Sequence, residues 1–259
     1  MITAIESKHN TTLRHLARLN REKKYRQGAG EMVCEGWKML GEALSSGVTV
    51  KTVLQRTGDA PDSGLIAQAE AQGARLFEAE ASLFAQASDV ETPQGVIFSC
   101  VPPKRRADDL PETLSGAILL DGVQDPGNLG TILRTADAFA LDAVILCEGC
   151  TDPTAPKVVR ATMGAAFRQP VYRMPLAEAA AALKTRGLPV YAAALEPDSV
   201  PSTALDLHGA AVIVGSEGRG VTAQALELCD KKVVIPMAGR AESLNVGVAA
   251  AILIWEMTK

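Results

Sequence analysis

The chain has 259 residues, 47% of them hydrophobic, and a mean hydropathy of +0.10, which supports one or two folded domains and excludes wholesale disorder. Five cysteines, an odd number, argue against a disulfide framework. The net charge of −4 argues at first against a nucleic-acid partner, but residues 1 to 30 hold Lys8, Arg14, Arg18, Arg21, Lys23, Lys24 and Arg26 against Glu6 and Glu22, a local +5 that leaves −9 on the rest. Local sign is what a phosphate backbone feels within a Debye length, so this segment reads either as a solvated helix face or as an RNA-binding one.

The start, "MITAIESKHN", is polar and carries an acid, which is wrong for a secretory signal. The longest charge-free apolar run, 246–255, is too short to span a bilayer, and a cytoplasmic protein is expected. From Asn10, residues Leu13, Leu16, Ala17 and Asn20 follow helical spacing with the basic side chains opposite. Strand and helix patterns then alternate: strands at 32–36, 49–55, 74–79 and 94–101, helices at 37–46 and 64–73. This predicts a small α/β domain over 1–101. The proline-bracketed polar stretch 102–111 reads as a linker. A second domain, 112–259, shows continuous apolar strands at 116–121, 142–147, 188–194, 210–215 and 231–236 with helices between them, the pattern of a parallel sheet covered on both faces.

Open parallel sheets bind ligands beyond the carboxyl ends of their strands, where the polar loops "DGVQDPGN", "VGSEGRG" and "IPMAGRAESLN" lie. No G-x-G-x-x-G follows the first strand of either half, and "GSEGRG" lacks the Gly-Lys-Ser/Thr ending of an ATP loop. His9, His15 and His208 lie at no predicted strand end near a serine, which argues against a Ser-His-Asp hydrolase. Cys147-Glu-Gly-Cys150 has neither a second cysteine pair nor paired histidines to complete a zinc site, and reads as a turn.

In the first loop Asn128 reads as an N-cap. Leu129, Ile132, Leu133 and Ala136 then share one helix face, and Gly130, Arg134 and Asp137 form a separate stripe. A helical glycine costs about 1 kcal/mol, so Gly130 predicts a close approach there and Arg134 a functional side chain; the alternative is a surface arginine paired with Asp137. The second loop offers Glu217 after Gly215, and the third offers Glu242, Ser243 and Asn245 before the last helix, with Ser243 a candidate N-cap. That helix is apolar all round to Trp255, which predicts service in both the core and a subunit interface.

"NLGTILR", "IVGSEGRG" and "IPMAGRAESLNVGVAAAI" together resemble, in order and spacing, the three motifs of the SpoU/TrmH family of RNA ribose 2′-O-methyltransferases. "DPTAPKVVRATMGA" (152–165) also looks like the family's, and "ITAIES", "CEG" (34–36) and "ETPQG" (91–95) are similar to the substrate-binding domain of its ribosomal-RNA members. The resemblance implies a SPOUT domain whose carboxyl-terminal segment threads a deep trefoil knot, preceded by a small RNA-binding α/β domain. It also implies S-adenosylmethionine bound within the knot and a homodimer formed through the catalytic domain, with no metal and no membrane partner. By position it carries donor binding to Gly215, Ile235, Met237, Leu244 and Ala194, and the polar catalytic set to Asn128, Arg134, Glu217, Ser243 and Asn245. Ser216 and Gly247 stand where many members have asparagine and serine.

Methyl transfer from a sulfonium to a hydroxyl depends mainly on orientation. The resemblance names Arg134 for proton removal, yet a guanidinium with a pKa above about 12 is a poor base. Its expected role is hydrogen bonding to the 2′-oxygen or an adjacent phosphate, with deprotonation requiring a special environment. Arg14, Arg18, Arg21, Lys23, Lys24, Arg26 and Lys38, joined by Lys157 and Arg160, are expected to contact RNA phosphates. The expected substrate is large-subunit ribosomal RNA. The alternatives are transfer RNA, a ribosomal site linked to antibiotic resistance, and a non-enzymatic assembly factor that keeps the fold.

Overall fold

The computed structural model describes residues 2–259. In chain order its elements are β1 (Ile2–Ile5), α1 (Thr11–Arg21), α2 (Lys23–Ala29), β2 (Met32–Glu35), α3 (Trp37–Ser45), β3 (Val50–Arg56), α4 (Ser63–Ala71), β4 (Arg75–Ala79), α5 (Ala81–Ala87), β5 (Val96–Cys100), β6 (Ala117–Leu120) and α6 (Pro126–Ala138). They continue with β7 (Ala143–Leu146), α7 (Pro156–Thr162), β8 (Val171–Arg173), α8 (Leu176–Thr185), β9 (Val190–Ala193), β10 (Val200–Pro201), β11 (Ala211–Val214), α9 (Ala223–Leu228), β12 (Lys231–Val234) and α10 (Val246–Thr258). Two compact units emerge. One runs to Pro103 and takes in Asp152–Arg168; the other comprises Lys104–Thr151 and Gln169–Lys259. The passage between them at 103–104 falls within the expected linker, but Leu110 of that stretch is buried in the second unit's core. The segment 152–168 differs from the sequence reading, which kept it with 112–259: Val159 and Phe167 pack into the first unit's core beside Met39, Leu40 and Phe98.

The first unit is built on a five-stranded sheet in the order β1-β4-β3-β5-β2, parallel except where β5 pairs with β3 and β2. Successive side chains of a strand face opposite sides. Val53, Val96 and Phe98 therefore pack with Leu40 and Leu44 of α3, while Leu54 and Ile97 pack with Leu13, Leu16 and Leu19 of α1 and Phe84 of α5. Helix α1 starts where its pattern predicts: the Asn10 side chain accepts from the Thr12 and Leu13 N–H groups at 2.8 and 3.2 Å. Strand β1 went unpredicted because its four residues are mostly exposed and carry no apolar run.

Arg26 departs from the expected phosphate contact. The chain breaks from helix at Glu22, and α2 turns Arg26 back over the end of α1. There it is only 6% exposed, donating from Nη1 to the Leu19 carbonyl at 2.9 Å and from Nη2 to the Asp152 carboxylate at 3.2 Å. Burial alone would raise the Asp152 pKa, but the Thr154 N–H and hydroxyl and the Arg26 guanidinium outweigh it and hold the carboxyl below the usual range. A depressed folded-state pKa stabilises the fold above the ordinary carboxylate value, a contribution lost as pH falls through the folded value. Arg26→Ala, which takes from the buried Asp152 carboxylate its cationic partner and leaves it the Thr154 donors, is expected to cost about 1.5–3 kcal/mol at neutral pH, with the deficit shrinking in acid as Asp152 protonates. Urea unfolding at both pH values checks this, and a neutral-pH midpoint equal to wild type would contradict it.

The other basic candidates of this unit differ in availability. Arg14, Arg18, Arg21, Lys23, Lys24, Lys38 and Lys157 are exposed, whereas Arg160 is half-buried and reaches Asp89 at 3.5 Å. Arg18 lies 3.9 Å over the Tyr25 ring and pairs with Glu22 at 2.8 Å.

The second unit carries a seven-stranded, wholly parallel sheet in the order β10-β12-β9-β11-β6-β7-β8. Strands β6, β7 and β11 are buried at every residue, as their unbroken apolar runs predict. The chain runs outward from β6 through β7 to β8, then crosses to the other side of β6 with β9, and β11 later fills the place between β9 and β6. The carboxyl ends of β6 and β11 thus flank a topological switch point, the crevice where open parallel sheets bind ligands. The short strands β8 and β10, of three and two residues, gave no periodic signal.

Two helix starts differ from their sequence assignments. Asp125, not Asn128, caps α6: its carboxylate accepts the Asn128 N–H at 2.8 Å, and Pro126 occupies the first helical position, where a missing N–H costs nothing. Asn245, not Ser243, caps α10, accepting from the Gly247 and Val248 N–H groups at 2.9 and 3.3 Å. Gly130 is buried rather than on an open stripe. A Cβ built on Gly247 would lie 3.4 Å from the Thr131 side chain, so α10 crosses closely over α6. Helix α10 buries Val246, Ala250, Leu253, Ile254 and Met257, while Val248 and Trp255 stay exposed. No helix among the described residues is long and apolar enough to cross a membrane.

Candidate active site

Three loops at the carboxyl edge of the parallel sheet converge on one polar chain. The α10 cap orients it: Asn245 Oδ1 faces two backbone N–H groups, so its Nδ2 points away and donates to Asn128 Oδ1 at 2.9 Å. That turns the Asn128 amide so that its Nδ2 donates to Glu217 Oε1 at 2.7 Å. A carboxylate only accepts, so every member is satisfied in one direction. The capping of α6 by Asp125 is what leaves the Asn128 side chain free for this bond.

Glu217 stands in a loop folded tightly on itself. The Ser216 and Gly220 backbones exchange two hydrogen bonds of 2.9 Å, and a Cβ on Gly215 would lie 2.0 Å from the Gly220 carbonyl carbon. Only glycine permits this approach. Beside the loop lies a cleft of about 460 Å³ lined by the strand ends of β9, β11 and β12 and by the 243–246 segment, within the usual size of small-molecule pockets. Ala194, Gly215, Ile235, Met237 and Leu244 all line it, together with Glu217 and Ser243. Its apolar walls, completed by Val214 and Val246, suit the adenine and aliphatic parts of S-adenosylmethionine. Leu195 and Glu196 also line the cleft but had no place in the sequence reading; an acidic residue just past a strand end was the available signal for Glu196.

The structure does not bring every candidate together. Arg134 is exposed on α6, and among the described residues no hydrogen bond or ion pair ties it to Asn128, Glu217 or Asn245. The C-x-x-C stretch is a turn: the Cys150 thiol donates to the Leu120 carbonyl at 3.0 Å, and burial raises the Cys147 thiol far above its ordinary range. Among the described residues no three His, Cys, Asp or Glu side chains cluster as metal ligands.

The model of the SpoU rRNA methylase family matches residues 116–255, and that of the MRM3-like substrate-binding domain matches 10–97. The chain belongs to the SpoU rRNA methylase family. It is 36% identical to the 23S rRNA (guanosine(2553)-2′-O)-methyltransferase RlmP of Bacillus subtilis over 98% of both chains. It also resembles the AdoMet-bound rRNA methyltransferase from Sinorhizobium meliloti, with a TM-score of 0.90 and 29% identity over 98% of this chain and 97% of that one. The SpoU methyltransferase AviRb from Streptomyces viridochromogenes, solved with AdoMet, matches with a TM-score of 0.81 and 26% identity over 96% and 97% of the two chains.

Proposed function

We propose that this chain transfers a methyl group from S-adenosylmethionine to a ribose 2′-hydroxyl of large-subunit ribosomal RNA in the cytoplasm. The observation that carries the reading is the Asn128–Glu217–Asn245 chain, assembled from three loops and ending on a residue that lines the cleft. Ala194, Gly215, Ile235, Met237 and Leu244 hold the donor, which supplies an electrophilic methyl group when bound. Glu217 spends one oxygen on Asn128 and keeps the other to accept from a ribose hydroxyl. Asn245 and Ser243 fix the last loop against donor and substrate, and Arg134 hydrogen-bonds the 2′-oxygen or its phosphate. The likeness to a 23S rRNA 2′-O-methyltransferase and the match to an MRM3-like substrate-binding domain support the choice of RNA. Calorimetry with S-adenosylmethionine, followed by mapping of 2′-O-methyl marks in ribosomal RNA from a deletion strain and its parent, tests the reading. Absence of donor binding, or identical marks in both strains, would overturn it.

The same reading includes a trefoil knot formed by the loops after β11 and β12, one of the few exceptions to unknotted folding, and a homodimer through α6 and α10. Val248 and Trp255 on α10 are 48% and 50% exposed, and Phe139 at the end of α6 packs against Trp255 in a tilted pair with ring centroids 5.3 Å apart. Such a stripe is costly to leave in water. Trp255→Lys is expected to convert a wild-type dimer to monomer in sedimentation velocity; a monomeric wild type would refute the dimer.

The exposed Arg14, Arg21, Lys23 and Lys24 serve RNA affinity in this reading, whereas Arg26 does not. Neutralising those four side chains is expected to lower the slope of log K against log salt by roughly 0.7–0.9 for each phosphate they neutralise. RNA binding measured across a salt series checks it, and an unchanged slope would remove the segment from the interface.

A further inference from the structure

We propose that a second cleft, at the carboxyl ends of β6, β7 and β11, receives the base of the target nucleotide, and that Glu148 reads its edge as guanine. This rests on the methyl-transfer reading above. The cleft measures about 530 Å³ and lies at the switch point between β6 and β11. Ser216, Arg219, Gly220 and Val221 line both this cleft and the donor cleft. A nucleotide with its base here carries its ribose to the same loop that holds Glu217.

The floor suits a flat ring. Gly122 and Gly149 both have φ of +77°, and a Cβ on Gly149 would lie 3.4 Å from the Gly122 Cα. The turns after β6 and β7 thus close on each other without side chains and present bare backbone. The rim is polar and uncommitted: Gln124, Gln224 and Arg219 are exposed, and their side chains make no hydrogen bond to other described residues. Asp121, by contrast, is buried and engaged, accepting the Thr222 N–H at 2.8 Å.

Glu148 is held by one oxygen only. Its Oε2 accepts the Leu176 N–H at 3.1 Å, which leaves Oε1 free at the exposed rim. An ionised carboxylate accepts and never donates, so it matches a base edge that presents adjacent donors. Among the four bases only guanine does so, through N1–H and the N2 amine. The amides of Gln124 and Gln224 can donate to guanine O6, and Arg219 carries the charge for a flanking phosphate.

Glu148→Gln tests this without removing the support of α8, because the amide oxygen still accepts from Leu176 while the other position becomes an N–H donor facing guanine's donors. The full-length protein is assayed on ribosomal-RNA transcripts bearing G or A at the mapped nucleotide, with S-adenosylmethionine affinity measured in parallel. Wild type is expected to favour G over A by about tenfold or more. The variant is expected to lose about tenfold in kcat/KM on G, with the G-to-A ratio falling toward one and donor affinity unchanged. A variant that keeps the wild-type ratio, or a mapped nucleotide other than guanosine, overturns the base site alone. A wild type that binds the donor but methylates no RNA overturns the methyl-transfer reading and the base site with it.

Discussion

Arg134→Ala is expected to lower methyl transfer by about 10²–10³-fold while S-adenosylmethionine binds with wild-type affinity. The side chain is exposed on α6, six positions beyond Asn128, and lines neither cleft. Its removal therefore costs neither packing nor the polar chain that ends on Glu217. A guanidinium stays protonated near neutrality, so the effect expected is loss of a planar donor to the 2′-oxygen or its phosphate, not loss of a base. Arg134→Lys keeps the charge without the fork and should recover only part of the activity. Single-turnover transfer with saturating donor, alongside calorimetry, separates the two steps. Turnover within about twofold of wild type in the alanine variant would remove Arg134 from the site.

The second large effect is expected for Gly215→Ala, which should weaken donor binding by about fivefold to a hundredfold. The new Cβ would lie 2.0 Å from the Gly220 carbonyl carbon and 2.1 Å from the Val221 nitrogen. These are backbone atoms, which cannot rotate away as a side chain would. The 215–221 loop has to open, breaking the paired Ser216–Gly220 bonds and carrying Glu217 off Asn128. Overpacking of this kind costs about 1–3 kcal/mol, and about 1.4 kcal/mol is a factor of ten in affinity. The strain is confined to one loop, so the midpoint of thermal unfolding should fall by only a few degrees. Donor affinity equal to wild type would show that the loop does not shape the cleft.

Much of this was legible in the chain itself. The apolar runs at 117–120, 143–146 and 211–214 are buried on both faces of a parallel sheet, so their composition alone announced β6, β7 and β11. The Asn10 cap and the leucine spacing of α1 were equally local. Short elements were lost: β1, β8 and β10 are stabilised by pairing with strands distant in sequence, and two to four residues carry no period. Arg26 misled for a related reason. Its charge placed it with the phosphate ligands, while its partner Asp152 stands 126 positions away.

The loops of the candidate site divide the same way. Which residue types stand at the strand ends, and in what order, is written in the sequence, because each motif is local and its resemblance to a family needs no contacts. The sequence therefore determined the fold class, the family and a candidate donor set. Only the tertiary structure decided that Asp125 caps α6, that Asn128 is thereby released to link Glu217 and Asn245, and that Gly130 is buried rather than open to substrate. The physical reason is competition for hydrogen bonds and space: a side chain's partner is set by whichever distant group reaches it with the better geometry, and partners 89 and 117 residues apart meet only once the sheet has formed.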